Sequence, residues 1–236
     1  MQTRPSNRLF RALVVDCRFV SNPHTAGQPV GTAMDEAFTS LRAESRFEPD
    51  KIKGSRFIAS LCPVQDEQAV SEFRARVAAE FSDARHHCYA WRLGQSGEQF
   101  RCSDDGEPSG SAGRPILMQL EGHELTNVCC VVTRYFGGTK LGVGGLMRAY
   151  GGAAGKACDR AELVQVIITS QLQIEHPYAL SGPVQGLLSA YSLEPLKATY
   201  GETVKFTLHV PIVHCDAFLT ELRDRTADRA RVIRKL

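Results

Sequence analysis

Three carboxylates fall within four residues, Asp104, Asp105 and Glu107, preceded by the pair His86-His87 and followed by Arg134, Lys140 and Arg148. Around them lie two knots of glycine, Gly106, Gly110 and Gly113 in the first and Gly137, Gly138, Gly142, Gly144 and Gly145 in the second. Each knot follows a strand-like apolar run and leads into a helix-like one. Strand, glycine loop and helix in that order leave backbone N–H groups free at a helix mouth, which suits an anion. The residues that would bind it are Ser109, Ser111, Gly113, Arg134, Lys140, Gly142, Gly144, Gly145 and Arg148. A helix N-terminus offers about 0.3–1 kcal/mol and a charge-assisted hydrogen bond about 1.5–3 kcal/mol. Two or three such contacts hold one phosphate poorly, whereas a polyanion touching several cations is held well and with steep salt dependence. Tyr135 and Tyr150 flank the second knot and could stack on a base; the alternative is that they fill space the glycines leave.

The carboxylates admit a second chemistry. As hard oxygen ligands, Asp104, Asp105 and Glu107 could hold Mg²⁺ against a phosphate, with His86 moving a proton, in an enzyme acting on a phosphorylated small molecule. The structural alternative is that Asp105-Gly106 forms a turn, one carboxylate caps the next helix, and others pair with Arg134 or Arg148. His86 and His87 adjoin on a strand, point to opposite faces and cannot both line one site. Neither Cys88 nor Ser109 has the neighbours that mark an activated nucleophile. Gly142-Val143-Gly144-Gly145 is not a spaced dinucleotide fingerprint, and 137–140 lacks the phosphate-loop spacing, so ATPase and dinucleotide chemistry are excluded.

The elements that must position these residues read as follows. Alternation predicts a strand over 52–64. Asp66 caps a helix marked by Ala69, Val70, Phe73, Val77 and Phe81 at helical spacing. Residues 86–93 are an aromatic-rich strand and 94–103 an exposed, mobile turn. A helix starts at Ser111 or Gly113 with Pro115 in its first turn and buries Ile116, Leu117 and Leu120. Residues 127–136 form a buried central strand. The helix over 146–161 is full of small side chains, and Gly151-Gly152 weaken it by about 1 kcal/mol each relative to alanine, so tight packing or a ligand must compensate. From Val164 the order is strand (164–175), helix (178–191), strands (196–200 and 203–210), helix (214–224) and strand (229–234), the ferredoxin-like βαββαβ order.

The segments 86–90 (HHCYA), 104–113 (DDGEPSGSAG) and 134–150 (RYFGGTKLGVGGLMRAY) resemble the signature of the Impact family (UPF0029), bacterial YigZ branch, over roughly residue 47 to the C-terminus. Ser111 stands where members often carry threonine, and a hydroxyl is kept. The resemblance implies an α+β protein of two domains. Residues 47–162 would be an Impact-type N-terminal domain like domain 2 of ribosomal protein S5, and 163–236 a ferredoxin-like C-terminal domain. Both folds recur in translation factors such as elongation factor G, so the implied function is a nonenzymatic regulator that binds RNA, the ribosome or translation machinery, with protein partners also open. The eukaryotic branch is linked to translation control under amino-acid starvation through competition with a kinase activator, and it uses an additional N-terminal domain that nothing here resembles.

Composition sets outer bounds. The 236 residues carry a net charge of +2 and a pI near 8.1, which permit a local basic face without arguing for one. Eight cysteines, among them Cys129-Cys130, show no CxxC and no metal spacing. Reduced thiols in a cytoplasm follow, and no apolar run nears the roughly 20 residues that span a bilayer. Residues 1–46 read as a flexible extension, with Met34 as an alternative start. The C-terminal run Arg223, Arg225, Arg229, Arg231, Arg234 and Lys235, set against Glu221, Asp224 and Asp228, is a solvated face or an extension of a polyanion track. No cofactor is expected for the binding module, and Mg²⁺ for the enzyme.

Overall fold

The central strand of the first unit explains most of its architecture. Its sequence, Val-Cys-Cys-Val-Val-Thr-Arg-Tyr, is apolar or β-branched on both faces, so it must be covered from both sides. The computed structural model describes residues 36–235; the expectations for residues 1–35, including Met34, lie outside them. The chain divides into two compact units, with residues 37–166 in one and residues from Ile167 onward in the other. The class is mixed α+β.

In the first unit the elements are β1 (Ala37–Leu41), β2 (Ser45–Phe47), β3 (Arg56–Pro63), α1 (Glu67–Glu80), β4 (His86–Leu93), β5 (Gln99–Ser103), α2 (Gly113–Gly122), β6 (Val128–Tyr135), α3 (Val143–Arg160) and β7 (Leu163–Ile167). Five strands form one sheet in the order β2-β3-β6-β4-β5, antiparallel throughout. On β6 alternate residues serve opposite faces. Val128, Cys130 and Val132 join the core built with α2 and α3, while Cys129 and Val131 join the core under α1. Arg134 continues the first of these series, opposite Phe57 on β3 and His86 on β4.

Local sequence accounts for the helices. Asp66 caps α1, its Oδ1 accepting from the Ala69 N–H at 2.8 Å. α2 buries Ile116, Leu117 and Leu120. The small residues of α3 let two helices approach: a Cβ on Gly151 would touch Pro115 of α2 at 3.6 Å, whereas one on Gly152 would meet nothing within 4 Å. Packing thus offsets the cost of Gly151, and no such compensation exists at Gly152.

Three expectations need correction. The extension to residue 46 ends earlier, because Phe38 and Leu41 of β1 are buried and β2 pairs with β3. The mobile turn at 94–103 contains β5, which pairs with β4 from Leu93–Gln99 to Tyr89–Ser103. This edge strand is exposed at four of five residues, so no apolar alternation announces it. The strand over 164–175 is two strands: β7 pairs with β1, whereas β8 (Thr169–Pro177) belongs to the sheet of the second unit.

That second unit continues with α4 (Ser181–Ala190), β9 (Lys197–Tyr200), β10 (Thr203–Pro211), α5 (Cys215–Thr226) and β11 (Arg231–Lys235). Its antiparallel sheet has the order β11-β8-β10-β9. Leu172 and Ile174 of β8 and Phe206 and Leu208 of β10 share a core with Val184, Leu187 and Phe218 from α4 and α5. No helix among the described residues is long and apolar enough to cross a membrane.

Candidate functional site

The first glycine loop already contains its anion. Asp104 follows directly on β5, and its carboxylate turns onto the mouth of α2. Oδ1 accepts from the N–H groups of Ala112 (2.9 Å) and Gly113 (2.8 Å), and Oδ2 from that of Gly110 (2.8 Å). Burial pushes this carboxyl up, but the bonds from Gly110, Gly113 and Ala112 outweigh it and hold Asp104 below the ordinary range. Asp105 and Gly106 take left-handed backbone conformations, φ 43° and 83°. The resulting turn lets Asp105 Oδ2 accept from the His87 N–H at 2.6 Å, while its carbonyl accepts from His86 Nδ1 at 2.8 Å. Gly113 is fitted closely, since a Cβ there would lie 2.7 Å from the Ser103 nitrogen.

Glu107 carries the loop into the core. Its Oε1 accepts from Arg134 Nη1 at 2.6 Å and from the Tyr150 hydroxyl at 2.7 Å. The Glu107 and Arg134 side chains are only 5% and 7% exposed. The Arg134 guanidinium also lies 5.6 Å from the Phe57 ring centre and 5.5 Å from that of Phe136. Beneath it, Cys88 donates its S–H to the Asp104 carbonyl at 3.0 Å. Burial is the main reason that the Cys88 thiol is pushed up to about 12, and burial likewise raises the Tyr150 hydroxyl. Both groups therefore stay protonated near neutral pH.

These contacts reassign several expected site residues. Arg134 is the buried partner of Glu107 and not a surface cation. Tyr150 has no free face, being fully buried with its ring edge-on to Phe57 at 5.2 Å. Tyr135 donates to Asp83 Oδ1 at 2.6 Å, and Arg56 covers its ring at 5.1 Å. Ser111 is fully buried, with no hydrogen-bond partner for its Oγ among the described residues, whereas Ser109 is exposed. His87 meets Thr133 Oγ1 at 3.1 Å, and burial lowers its pKa. Both oxygens of Asp104, Oδ2 of Asp105 and Oε1 of Glu107 are engaged by the protein itself, and no cluster of three or more His, Cys, Asp or Glu side chains placed for a metal occurs among the described residues.

The second glycine loop is built the other way. Gly137 is a spacer: a Cβ on it would collide with the backbone of Gly54, and its N–H donates to Ser55 Oγ at 3.1 Å. Beyond it the chain opens outward. Gly142 caps α3 at φ 70°, and no side-chain hydrogen bond to the helix mouth occurs among the described residues. Lys140, Gly142, Gly144 and Arg148 are exposed, and neither cation makes an ion pair among the described residues. Phe136 is 56% exposed, and Val143 and Met147 are also exposed. No hydrogen bond or ion pair among the described residues joins Lys140 or Arg148 to the first loop. Sequence reasoning gave no role to Asp83, but its structural alternative included both a carboxylate paired with Arg134, which is Glu107, and a carboxylate cap on the next helix, which is Asp104. The nearest sequence signal for the latter is an acid placed six and nine residues before Gly110 and Gly113, longer than the usual capping spacing.

Known proteins resemble the chain across both units. The Impact N-terminal domain model matches residues 53–158, and a domain of unknown function, DUF1949, matches residues 174–229. The IMPACT family member YvyE of Bacillus subtilis is 35% identical over 180 residues, covering 75% of this chain and 83% of that protein. An IMPACT family member from the pol 5′ region of Thermus thermophilus is 42% identical over 160 residues, covering 68% and 86%. The IMPACT family member YigZ of Escherichia coli is 34% identical over 177 residues, covering 74% and 87%. A crystal structure of an hypothetical protein has a TM-score of 0.64 at 31% identity, covering 84% of this chain and 97% of its own.

Proposed function

Because the chain belongs to the IMPACT family, we propose that it is a nonenzymatic module of the cytoplasm that binds RNA, the ribosome or another part of the translation machinery, through the second glycine loop. The observation that carries this reading is the contrast in engagement between the loops. The acids of the first are held by backbone N–H groups, Arg134 and Tyr150, whereas Lys140, Arg148 and the uncapped mouth of α3 face outward. An uncapped helix mouth with exposed cations suits the phosphates of a polyanion. The enzyme reading finds less support, since both oxygens of Asp104, Oδ2 of Asp105 and Oε1 of Glu107 are engaged by the protein itself. The two-domain reading extends this. An S5 domain 2-like N-terminal domain is supported by an antiparallel sheet with helices on both faces, and a ferredoxin-like C-terminal domain by the βαββαβ order with strands β11-β8-β10-β9. Such folds are shared with translation factors, an associational argument that transfers no activity by itself.

The experiment is binding of bulk tRNA and of ribosomes across a salt series, for the native chain and for the double change Lys140→Ala, Arg148→Ala. The expected result is binding that weakens steeply with salt and falls in the variant. Salt-independent binding, or a variant indistinguishable from the native chain, would remove the second loop as the contact.

A further inference from the structure

Three contacts tie α2 to α3, and they are spaced alike on both helices. A Cβ on Gly151 would touch Pro115 at 3.6 Å, and one on Gly155 would lie 2.5 Å from Gln119 Oε1. One turn further on each helix, His123 Nε2 meets Asp159 Oδ1 at 2.9 Å. The partners advance together by four residues, Pro115, Gln119 and His123 against Gly151, Gly155 and Asp159. The helices therefore run parallel, and the three contacts stack as rungs along one line. The first two rungs depend on glycine for close approach. The third joins two ionisable side chains.

His123 closes α2, and its backbone N–H donates to the Gln119 carbonyl at 3.1 Å. Its ring Nδ1 meets the same carbonyl at 2.8 Å, while Nε2 meets the Asp159 carboxylate. A carbonyl and an ionised carboxylate can only accept. Two acceptors demand two N–H donors, and only the imidazolium has both. A neutral ring must turn a lone pair toward one of these oxygens and give up that bond. Position favours the cation too. The ring lies at the C-terminal end of α2 and Asp159 in the last turn of α3, where the unpaired helix carbonyls repel an anion and attract a cation. The bond to Asp159 accordingly raises the His123 pKa above its ordinary 6.5, against a smaller opposing effect of burial. The charged groups nearby are otherwise engaged or solvated. Glu121 of α2 pairs with Arg114, Arg160 of α3 lies over the Phe47 ring of β2 at 4.1 Å, and Arg42 pairs with Glu162. Glu124 and Lys156 are exposed. No second ion pair to His123 or Asp159 occurs among the described residues.

We propose that His123 and Asp159 form a pH-operated clasp between the C-terminal ends of α2 and α3, closed by the imidazolium and released when the ring loses its second proton. Closed, it holds in register the two helices whose opposite ends carry the glycine loops. Because the folded pKa lies above the unfolded one, the contribution of the clasp is complete below pH 6.5 and is lost as pH rises through the higher, folded value. The proposal stands apart from the nucleic-acid reading, since neither residue belongs to a glycine loop.

Histidine-ring NMR of the full chain between about pH 5 and 9 tests it, with His123 assigned by the signal missing from His123→Gln. His123 titrates above 6.5 in the native chain. In Asp159→Asn its pKa falls, because the carboxylate charge is gone. The amide of that variant can donate to the unprotonated Nε2 as readily as its oxygen accepts from the protonated one, so the clasp no longer responds to pH. Hydrogen exchange at the last turns of α2 and α3, corrected for the chemical rate, supplies the second measurement. In the native chain it quickens as His123 loses its proton, by up to about tenfold for each unit by which the pKa is raised, and Asp159→Asn shows no such step. The Asp159 side chain is 62% exposed, so its replacement leaves the core intact. The native titration needs no variant at all. A native His123 that titrates at or below 6.5, a pKa unchanged by Asp159→Asn, or exchange that shows no step with the titration overturns the proposal.

Discussion

The two glycine loops of the first unit share a composition and differ in what satisfies them. In the loop before α2, Asp104 supplies an anion to Gly110, Ala112 and Gly113, and Glu107 anchors the same segment to Arg134 and Tyr150. In the loop before α3 no side-chain hydrogen bond to the helix mouth occurs among the described residues, and Lys140 and Arg148 nearby are exposed. The lesson is that glycine-rich loops at helix mouths create a demand for negative charge without saying where it comes from. One loop meets that demand from within and is anchored to the core through Glu107; the other leaves it to solvent or a ligand.

Breaking the internal arrangement should have the largest effect. Arg134→Ala leaves Glu107 buried and unpaired, with an expected loss of about 3–5 kcal/mol in unfolding free energy by denaturant titration. Arg134→Met combined with Glu107→Gln should lose much less, because no uncompensated charge remains. If the single and double changes cost the same, the pair is not what anchors the loop.

Asp104→Ala should come next, at about 1–3 kcal/mol, since three N–H groups lose their acceptor. The pH dependence has a definite sign. Asp104 lies below its ordinary value of 3.8 in the folded chain, so its contribution is present above that pH and is lost as pH falls through the lower, folded value. The native chain and the Asp104→Ala variant should therefore converge in stability in acid, which thermal melts over that range would show.

Glycine substitutions sharpen the contrast. Gly113→Ala forces a Cβ against the Ser103 backbone and should cost about 1–3 kcal/mol. Gly144→Ala, whose nearest neighbour would be Arg148 Nη1 at 3.7 Å, should be neutral or stabilising by up to about 1 kcal/mol. Equal penalties would mean that the second loop is as tightly constrained as the first. Smallest of all, Lys140→Ala with Arg148→Ala should move stability within about 0.5 kcal/mol, as expected for exposed side chains, while changing polyanion affinity.

Much of this was legible in the chain. Asp66 as a helix cap, the buried face Ile116, Leu117 and Leu120, the two-faced strand of Cys129-Cys130 and the βαββαβ order all follow from local periodicity and capping chemistry. β1 and β5 were not legible, because short or exposed strands take their identity from the neighbour they pair with.

The sequence by itself determined which residues are concentrated around the two loops, since three motifs in order mark the family and glycine, acid and base content are local properties. Only the tertiary structure decided which charges remain available. Arg134 and Lys140 read alike in one dimension, but β6 carries Arg134 inward onto Glu107 while the loop carries Lys140 out to solvent. Tyr150 and Tyr200 divide in the same way, one sealed against Phe57 and the other open at the end of an edge strand. The physical reason is that availability to a ligand is set by burial and pairing, which depend on contacts between residues far apart in the chain.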